Sequence, residues 1–121
     1  MNAVVVGATG HDDQLAGYSS PTGNVKWAVM APGGSGRVSE ADDIYSTIWK
    51  KGQPNAYGYL AGTSMAAPHV TGAVALLLAQ GLSKEQAVER ILATADPVSC
   101  GPNSDHCRGR LNVTRAVGAS P

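Results

Sequence analysis

The longest apolar stretch of the chain predicts a buried α-helix over residues 66–79. Alanines and glycines cover most of its surface, and larger aliphatic side chains recur at helical spacing. A helix that is apolar on nearly every side is typically buried nearly all round. We therefore expect this helix to lie inside the protein, with a core stripe formed by Val70, Val74, Leu77 and Leu78.

Ser64 lies just before this apolar stretch, so we expect it in the first turn of the helix or at its N-cap. Serine is favoured there because the first backbone N–H groups of a helix have no intrahelical partner. Pro68 agrees with an early helical position, since a proline near the helix start removes a donor that is unpaired anyway. Gly62 and Gly72 let a neighbouring element approach closely.

Other segments of the chain predict strands and a loop. A continuous apolar run over residues 3–8, rich in valine, is typical of a strand that is covered on both faces in a parallel sheet. Residues 25–30 are expected to form its neighbour. Residues 33–43 are polar and glycine-rich and predict a flexible loop. In that loop a solvated acidic turn is favoured over a cation site for Asp42 and Asp43.

The remaining pattern completes an α/β fold. One short strand is expected between the loop and the buried helix. Ser83 and Gln86 form a capping box that starts an amphipathic helix, and this helix should end before Asp96 and Pro97. A further short strand and a last short helix follow.

The predicted position of Ser64 has chemical consequences. A helix dipole places roughly half a positive charge at the N-terminus, beside free N–H groups, which would stabilise negative charge that develops on an attacked carbonyl. An isolated Gly-Thr-Ser is more often a plain N-cap than a nucleophile. The full eleven residues 62–72, Gly-Thr-Ser-Met-Ala-Ala-Pro-His-Val-Thr-Gly, favour the nucleophile.

Residues 62–72 closely resemble the serine signature of the subtilisin-like serine proteases, the subtilases of peptidase family S8. The resemblance implies a peptide-bond hydrolase that acts through an acyl-enzyme on Ser64. It also implies a fold: the C-terminal half of a subtilisin-like doubly wound parallel sheet, with the nucleophile at a buried helix N-terminus. Further similar segments extend the resemblance over nearly the whole chain, at residues 4–9, 15–19, 29–33, 44–47 and 109–112.

The resemblance also implies partners for Ser64 that are not found at matching positions. The family's aspartate and histidine precede the serine, and its second oxyanion donor is the side chain of an asparagine upstream. His11 is expected in a surface turn and His69 as a satisfied core histidine, while Asn2 and His106 lack the family context. We therefore expect residues 1–121 to be part of a catalytic domain, and the missing N-terminal half to supply the other groups.

The resemblance assigns roles to the neighbours of Ser64. Gly62, Thr63 and Met65 are candidate substrate-binding positions, and the backbone N–H of Ser64 would be one oxyanion donor. Tyr57 borders the leaving-group side in the family, although packing within a strand explains it equally well. No cofactor is required and no metal-binding side chains are assigned. Calcium is common in the family, and the turn at 8–11 matches a region where backbone carbonyls can hold a cation.

Charge and cysteine content narrow the expected partners and setting. The formal net charge is zero at pH 7, so neither nucleic acid nor an anionic membrane is an expected partner, and protein or peptide substrates are. Cys100 and Cys107 enclose a turn-rich loop and predict a disulfide, which would contribute about 2 to 3 kcal/mol. A metal pair with His106 is disfavoured, because this cysteine spacing is unusual for zinc.

The cysteines and the hydropathy pattern also bear on location. A disulfide points to an oxidising, extracellular setting for the parent protein. No signal-peptide pattern is expected within these residues, and no apolar run reaches the roughly 20 residues that a membrane-spanning helix needs.

Two hypotheses of function follow. The first is a serine endopeptidase whose histidine base is supplied by a longer chain or by a separate fragment. The alternative is a truncated remnant or pseudoenzyme of the same family, without activity. An α/β-hydrolase is disfavoured, because its nucleophile elbow requires glycine where Ala66 stands.

Overall fold

The computed structural model describes residues 3–37 and 39–118. Their order of strands and helices confirms the predicted mixed α/β class. The elements are β1 (Val5–Thr9), β2 (Ala28–Pro32), a 3-10 helix (Glu40–Asp42), β3 (Ile44–Thr47), β4 (Tyr57–Leu60), α1 (Thr63–Ala79), α2 (Lys84–Thr94), β5 (Cys107–Arg110) and α3 (Val113–Ala116).

Strands β1, β2 and β5 form a parallel sheet in the order β1-β2-β5, so β1 lies at an edge. Val5 pairs with Ala28, and the strands stay in register to their ends. The predicted neighbouring strand, residues 25–30, starts too early and ends too early. Pairing with β1 fixes the bounds of β2, and Val25 lies exposed before it.

The core lies on one face of this sheet. All three helices share an apolar cluster with the side chains of β1 and β2 that alternate toward them. On the other face, Gly7 lies beneath the side chains of Met30 and Thr22, and a Cβ there would lie 2.6 Å from Met30 Sδ. The cluster includes Ala8, Val29, Ala31, Ala66, Val70, Leu77, Ile91, Leu111 and Ala116.

Helix α1 is buried along one stripe only, so the prediction of a helix buried nearly all round is wrong. Leu76 and Leu78 are 51% and 45% exposed, and Leu78 therefore lies outside the core stripe. The described residues cover α1 from one side, so its apolar surface continues beyond the area that they cover. The buried positions are Ala66, Val70, Ala73 and Leu77.

Pro68 lies within α1, in the second turn, because the helix begins at Thr63. The prediction that its missing donor is an unpaired one is therefore wrong. At this depth the N–H of a residue bonds to the carbonyl four residues earlier. The carbonyl of Ser64 consequently lacks its helical hydrogen-bond partner.

Helix α2 starts and ends as predicted. The Gln86 backbone N–H donates to Ser83 Oγ over 3.2 Å, and the Ser83 N–H donates to Gln86 Oε1 over 2.9 Å, which confirms the capping box. The helix ends at Thr94, ahead of Pro97. Its buried residues are Ala87, Val88, Ile91 and Leu92.

Strands β3 and β4 form a separate antiparallel hairpin, where the sequence predicts a single short strand. Ile44 pairs with Leu60 and Thr47 pairs with Tyr57. The polar connection at 48–56 interrupts the apolar alternation, so the second strand is not evident from pattern alone. On one face of the hairpin, the ring of Tyr45 lies 5.8 Å from that of Tyr57.

An ionic cluster around Asp96 stabilises the C-terminal part of the described residues. The Asp96 carboxylate accepts from Arg110 Nη2 over 2.6 Å and from Asn112 Nδ2 over 3.1 Å. Hydrogen bonds from Asn112 above all, and then from Arg110 and Arg115, hold the pKa of Asp96 below its ordinary value. Arg110 also pairs with Asp13, which ties this cluster to the turn after β1.

Gly109 and the disulfide complete this region. Gly109 has φ +115°, and a Cβ there would lie 2.0 Å from the Asp96 carbonyl oxygen, so only glycine fits. The predicted disulfide joins Cys100 to Cys107, with 6.2 Å between their Cα atoms. Among the described residues, no helix is both long and apolar enough to cross a membrane.

Candidate active site

Ser64 is exposed in the first turn of α1, as predicted. Gly62 is the N-cap and has no side chain to occupy the helix end. Within the described part of the chain, Ser64 Oγ makes no hydrogen bond, and its backbone N–H has no backbone acceptor. The hydroxyl and the N–H are therefore both available at the positive end of a 17-residue helix.

The turn before Ser64 is held at the carboxyl ends of β1 and β2. The Gly62 N–H donates to the Gly33 carbonyl over 2.9 Å, and the Gly33 N–H donates to the Thr9 carbonyl over 3.0 Å. A Cβ on Gly33 would lie 2.6 Å from Ala8 Cβ and 2.7 Å from the Gly62 carbonyl oxygen. Gly33 therefore lets the end of β2 and the turn before Ser64 approach closely.

A cleft of about 430 Å³ lies between α1 and the inner face of the hairpin, with Ser64 in its wall. Its surface is mostly apolar, which is typical of sites that receive side chains or small ligands. Gly58 leaves room for the Ile48 side chain, which occupies the space where a Cβ would stand. The main lining residues are Ile44, Ser46, Ile48, Gly58, Leu60, Ser64, Met65, Pro68 and His69.

Comparison with known proteins identifies the family of this chain. The profile described as "Subtilase family" matches residues 1–119. The chain belongs to the subtilase family. It is 40% identical over 117 residues to the thermophilic serine proteinase of Bacillus sp. (strain AK1), covering 96% of this chain and 25% of that protein. It is 36% identical over 116 residues to thermitase of Thermoactinomyces vulgaris, covering 96% of this chain and 36% of that protein.

Solved structures agree with the subtilase assignment. A structure of proteases from Pseudoalteromonas arctica PAMC 21717 superposes with a TM-score of 0.76 and 29% identity, over 95% of this chain and 35% of that one. The prenylagaramide maturation protease PagA, at 23% identity and a TM-score of 0.69, supports the fold alone. This subtilase chain thus spans about a quarter to a third of the length of the curated relatives named above.

The other predicted site residues of the subtilase fall into two groups, those next to Ser64 in α1 and Tyr57 on the hairpin. Met65 lies beside Ser64 in the cleft, and Gly62 and Thr63 form the turn that leads to it. Thr63 Oγ1 lies 3.4 Å from Ser20 Oγ. Tyr57 is paired with Thr47 and stacks on Tyr45, and it is not one of the residues that line the cleft. The strand-packing interpretation of Tyr57 thus has a direct contact, and its substrate role stays a prediction.

The histidines of this subtilase chain do not form a pair with Ser64. His11 is exposed in a turn, as predicted, and His106 is exposed in the disulfide loop. His69 is half-buried and shares the cleft with Ser64, but its Nδ1 lies 2.9 Å from the Met65 carbonyl oxygen. That contact uses Nδ1 within the helix, and His69 lies at the cleft and not in the core, so the prediction of a core histidine is wrong. Asn2 lies outside the described residues.

Calcium remains a prediction for this chain. The Ala8, Thr9 and Gly10 carbonyls each accept a backbone N–H, from Ala16, Gly33 and Asp13 respectively. Across residues 3–37 and 39–118, no group of three or more acidic, histidine or cysteine side chains is arranged to hold a metal ion. A cation at this turn would rest on carbonyl oxygens that are already hydrogen-bonded.

Sequence reasoning missed one residue that touches the site. The Tyr18 hydroxyl lies 2.7 Å from the Gly33 carbonyl and 2.5 Å from the Gly34 carbonyl. Burial is the main cause that raises the pKa of Tyr18 above its ordinary value, with a smaller contribution from Asp43. The resemblance placed Tyr18 in a family turn, but no local pattern indicates that its hydroxyl meets residues 33 and 34.

Proposed function

We propose that this chain carries the nucleophile of a serine endopeptidase, and that Ser64 attacks the carbonyl carbon of a peptide bond. The supporting observation is the state of Ser64: an exposed hydroxyl and an available N–H at the start of α1, inside the family's serine signature. The fold brings this turn to the carboxyl ends of the parallel strands, where α/β proteins bind their ligands.

The chemistry divides between this chain and the rest of the family's domain. Ser64 Oγ forms the bond to the peptide carbonyl, while the carbonyl oxygen gains negative charge within reach of the Ser64 N–H. A histidine takes the hydroxyl proton and delivers it to the departing amine, and an aspartate orients that histidine. Water then hydrolyses the acyl-enzyme. By resemblance, the histidine, the aspartate and a second oxyanion donor come from the N-terminal half, within a longer chain or as a separate fragment.

The substrates proposed for this subtilase are proteins or peptides. Gly62, Thr63 and Met65 surround the position of the attacked bond, and the apolar cleft beside Ser64 has room for a substrate side chain. Tyr57 is the least supported of the proposed substrate contacts, since it is not one of the residues that line that cleft. A structural calcium ion stays part of the proposal as an expectation from the family.

We also propose an extracellular location for the parent protein. The disulfide between Cys100 and Cys107 supports an oxidising compartment. Its loop is fixed at the surface by a hydrogen bond from the Asp105 N–H to Asn24 Oδ1, over 3.2 Å.

Labelling with a fluorophosphonate probe tests the proposed activity. The chain alone should not react, because no described residue activates Ser64 Oγ. When it is combined with the N-terminal half of a related subtilase catalytic domain, one equivalent of probe should attach, and Ser64→Ala should abolish the labelling. Ser99→Ala, which removes an exposed serine far from α1, should leave it unchanged.

Two results would contradict this proposal in different ways. If the combined protein forms a folded complex but never labels, the alternative of an inactive remnant or pseudoenzyme is correct. Stoichiometric labelling of the chain alone that disappears in Ser64→Ala would mean that these residues contain a base that the proposal has missed.

A further inference from the structure

We infer that Tyr18 is a positioning residue for the Ser64 turn, an inference that rests on the proposed function. Its hydroxyl lies between two carbonyl oxygens, 2.7 Å from that of Gly33 and 2.5 Å from that of Gly34. A hydroxyl has one proton to donate, so it donates to only one of these two carbonyls at a time. The segment 33–34 is thereby held by the Tyr18 hydroxyl, close to Gly62.

The Gly33 carbonyl links Tyr18 to the nucleophile turn. It accepts the Tyr18 hydroxyl and also the Gly62 N–H, at 2.9 Å. Gly62 is the N-cap of α1, and its own carbonyl accepts the N–H groups of Met65 and Ala66. Displacing the Gly33 carbonyl therefore moves the cap, and with it the direction of the Ser64 N–H.

The packing leaves this arrangement little freedom. Gly33 is enclosed by Ala8, by the Gly62 carbonyl and by the Tyr18 hydroxyl, each within 3.0 Å of where its Cβ would stand. Gly34 has φ +87°, a conformation that favours glycine, and a Cβ on it would lie 2.7 Å from Asp43 Oδ1. A turn that is confined on these sides transmits a change at Tyr18 to Gly62.

A second contact from the same segment supports this role. Ser20 Oγ lies 3.4 Å from Thr63 Oγ1, one residue before the nucleophile. The intervening Ser19 is fixed to β1, because its Oγ accepts the Ala8 N–H over 2.9 Å. Segment 18–20 is therefore anchored on the sheet, and it reaches the Ser64 turn directly at Thr63 and indirectly through the Gly33 carbonyl.

Protonation defines when Tyr18 can act. Only the neutral phenol donates a hydrogen bond, and the raised pKa keeps Tyr18 neutral across the neutral and mildly alkaline range. The charged groups that face this segment are Asp43, whose charge adds to the rise, and Arg37, whose guanidinium lies against Gly17. Neither of them replaces the hydroxyl as a donor to the Gly33 carbonyl.

The test is Tyr18→Phe, which removes the hydroxyl and keeps the ring. The matched control is Tyr59→Phe, because Tyr59 is 41% exposed against 39% for Tyr18 and its hydroxyl contacts no described backbone group. In the chain combined with its N-terminal half, the number of active sites is titrated with the probe, and kcat and KM are then measured. Tyr18→Phe should lower kcat roughly tenfold with little change in KM, since one hydrogen bond that orients the catalytic turn is lost.

Hydrogen–deuterium exchange provides a readout that does not depend on activity. In the combined protein, Tyr18→Phe should speed exchange of the Gly62 amide roughly tenfold, while amides in the middle of α1 keep their rates. If neither protein is active but the Gly62 amide responds, the proposed function fails and the positioning contact stands. If kcat and Gly62 exchange both stay within twofold of wild type, as in Tyr59→Phe, the inference is wrong.

Discussion

The two sides of this small sheet differ in how completely the chain pairs its own polar groups and covers its own apolar surface. On the β5 side, Asp96, Arg110 and Asn112 form a closed polar cluster, and a disulfide secures the neighbouring loop. On the β1 side, an apolar groove of about 270 Å³ remains between the edge strand and α1. Its lining residues are Val4, Val6, Ala67, Val70, Thr71 and Val74.

Even the β1 side, the open side of the molecule, is closed at the end next to the Ser64 turn. The Ala8 N–H donates to Ser19 Oγ, the Ala8 carbonyl accepts the Ala16 N–H, and Thr9 is bridged to Leu15. The edge is therefore blocked near the Ser64 turn and free near Val6. These residues fix the Ser64 turn by themselves, whereas the rest of β1 and of α1 leaves apolar surface uncovered. We propose that the rest of the family's domain covers this surface.

The largest effect expected from this difference is on association in solution. An unpaired apolar edge and an exposed apolar helix face promote aggregation, so the isolated chain should be poorly soluble or molten. Replacing Leu76 and Leu78 with glutamine removes the two most exposed large side chains of α1 and should convert most of the protein to monomer. Analytical ultracentrifugation of both proteins measures this.

A control that replaces two exposed apolar residues elsewhere locates the effect. Val25→Gln combined with Val113→Gln changes two residues that are each 37% exposed away from the groove, and it should leave the aggregation unchanged. If the unmodified chain is monomeric and unfolds in one cooperative thermal transition, the contrast between the two sides has no consequence in solution.

A smaller effect is expected on the closed side, from Asp96→Asn in the Leu76→Gln, Leu78→Gln background. The pKa of Asp96 is lowered from 3.8, first by Asn112 and then by Arg110 and Arg115. Its ionised form therefore stabilises the fold at pH values above that ordinary pKa, and this stabilisation is lost as the pH falls through the lowered pKa. Urea unfolding at about pH 7 should show a loss of about 1 to 2 kcal/mol, given that the group is partly exposed.

The pH dependence separates this explanation from a packing defect. As the pH falls from 7 to 2, the carboxyl becomes progressively protonated, so the difference in stability between wild type and Asp96→Asn should shrink. A loss that is equal at both pH values would mean that shape, and not the charge of Asp96, fastens this side.

Local signals explain what the sequence could predict. The capping box at Ser83, the pairing of Cys100 with Cys107 and the place of Ser64 in the first turn of its helix depend on residues close together in the chain. The extent of burial does not. Leu78 and Val70 look alike in the apolar run, and only the position of the sheet decides that Val70 is covered and Leu78 is not.

The same reason accounts for the parts of the site that were not predicted. Tyr18 and Gly33 are 15 residues apart, and their contact exists because β2 returns beside β1. The second strand of the hairpin is another case, since Tyr57 pairs with Thr47 across a polar connection that carries no strand pattern. Contacts made by the topology cannot be obtained from spacing along the chain.

The smallest effect expected in the free chain comes from Gly72→Ala, which also compares the free and the partnered state most directly. Gly72 lies in the middle of α1, is exposed, and nothing lies within 4 Å of a Cβ placed on it. Glycine costs about 0.5 to 1 kcal/mol relative to alanine in a helix interior. In the solubilised background, Gly72→Ala should therefore raise the stability of the chain by about that amount, as measured by urea unfolding.

In the combined protein the sign should reverse. Gly72 lies on the exposed side of α1 with Leu76, so an element that packs there would meet the added methyl group, and overpacking a close contact costs about 1 to 3 kcal/mol. Ala93→Gly is the control, because it makes the opposite exchange at an exposed position of α2 and should lower the stability of both forms equally. If Gly72→Ala stabilises the free and the combined protein alike, no element packs closely on this face, and the open side of the molecule is simply a solvent-exposed surface.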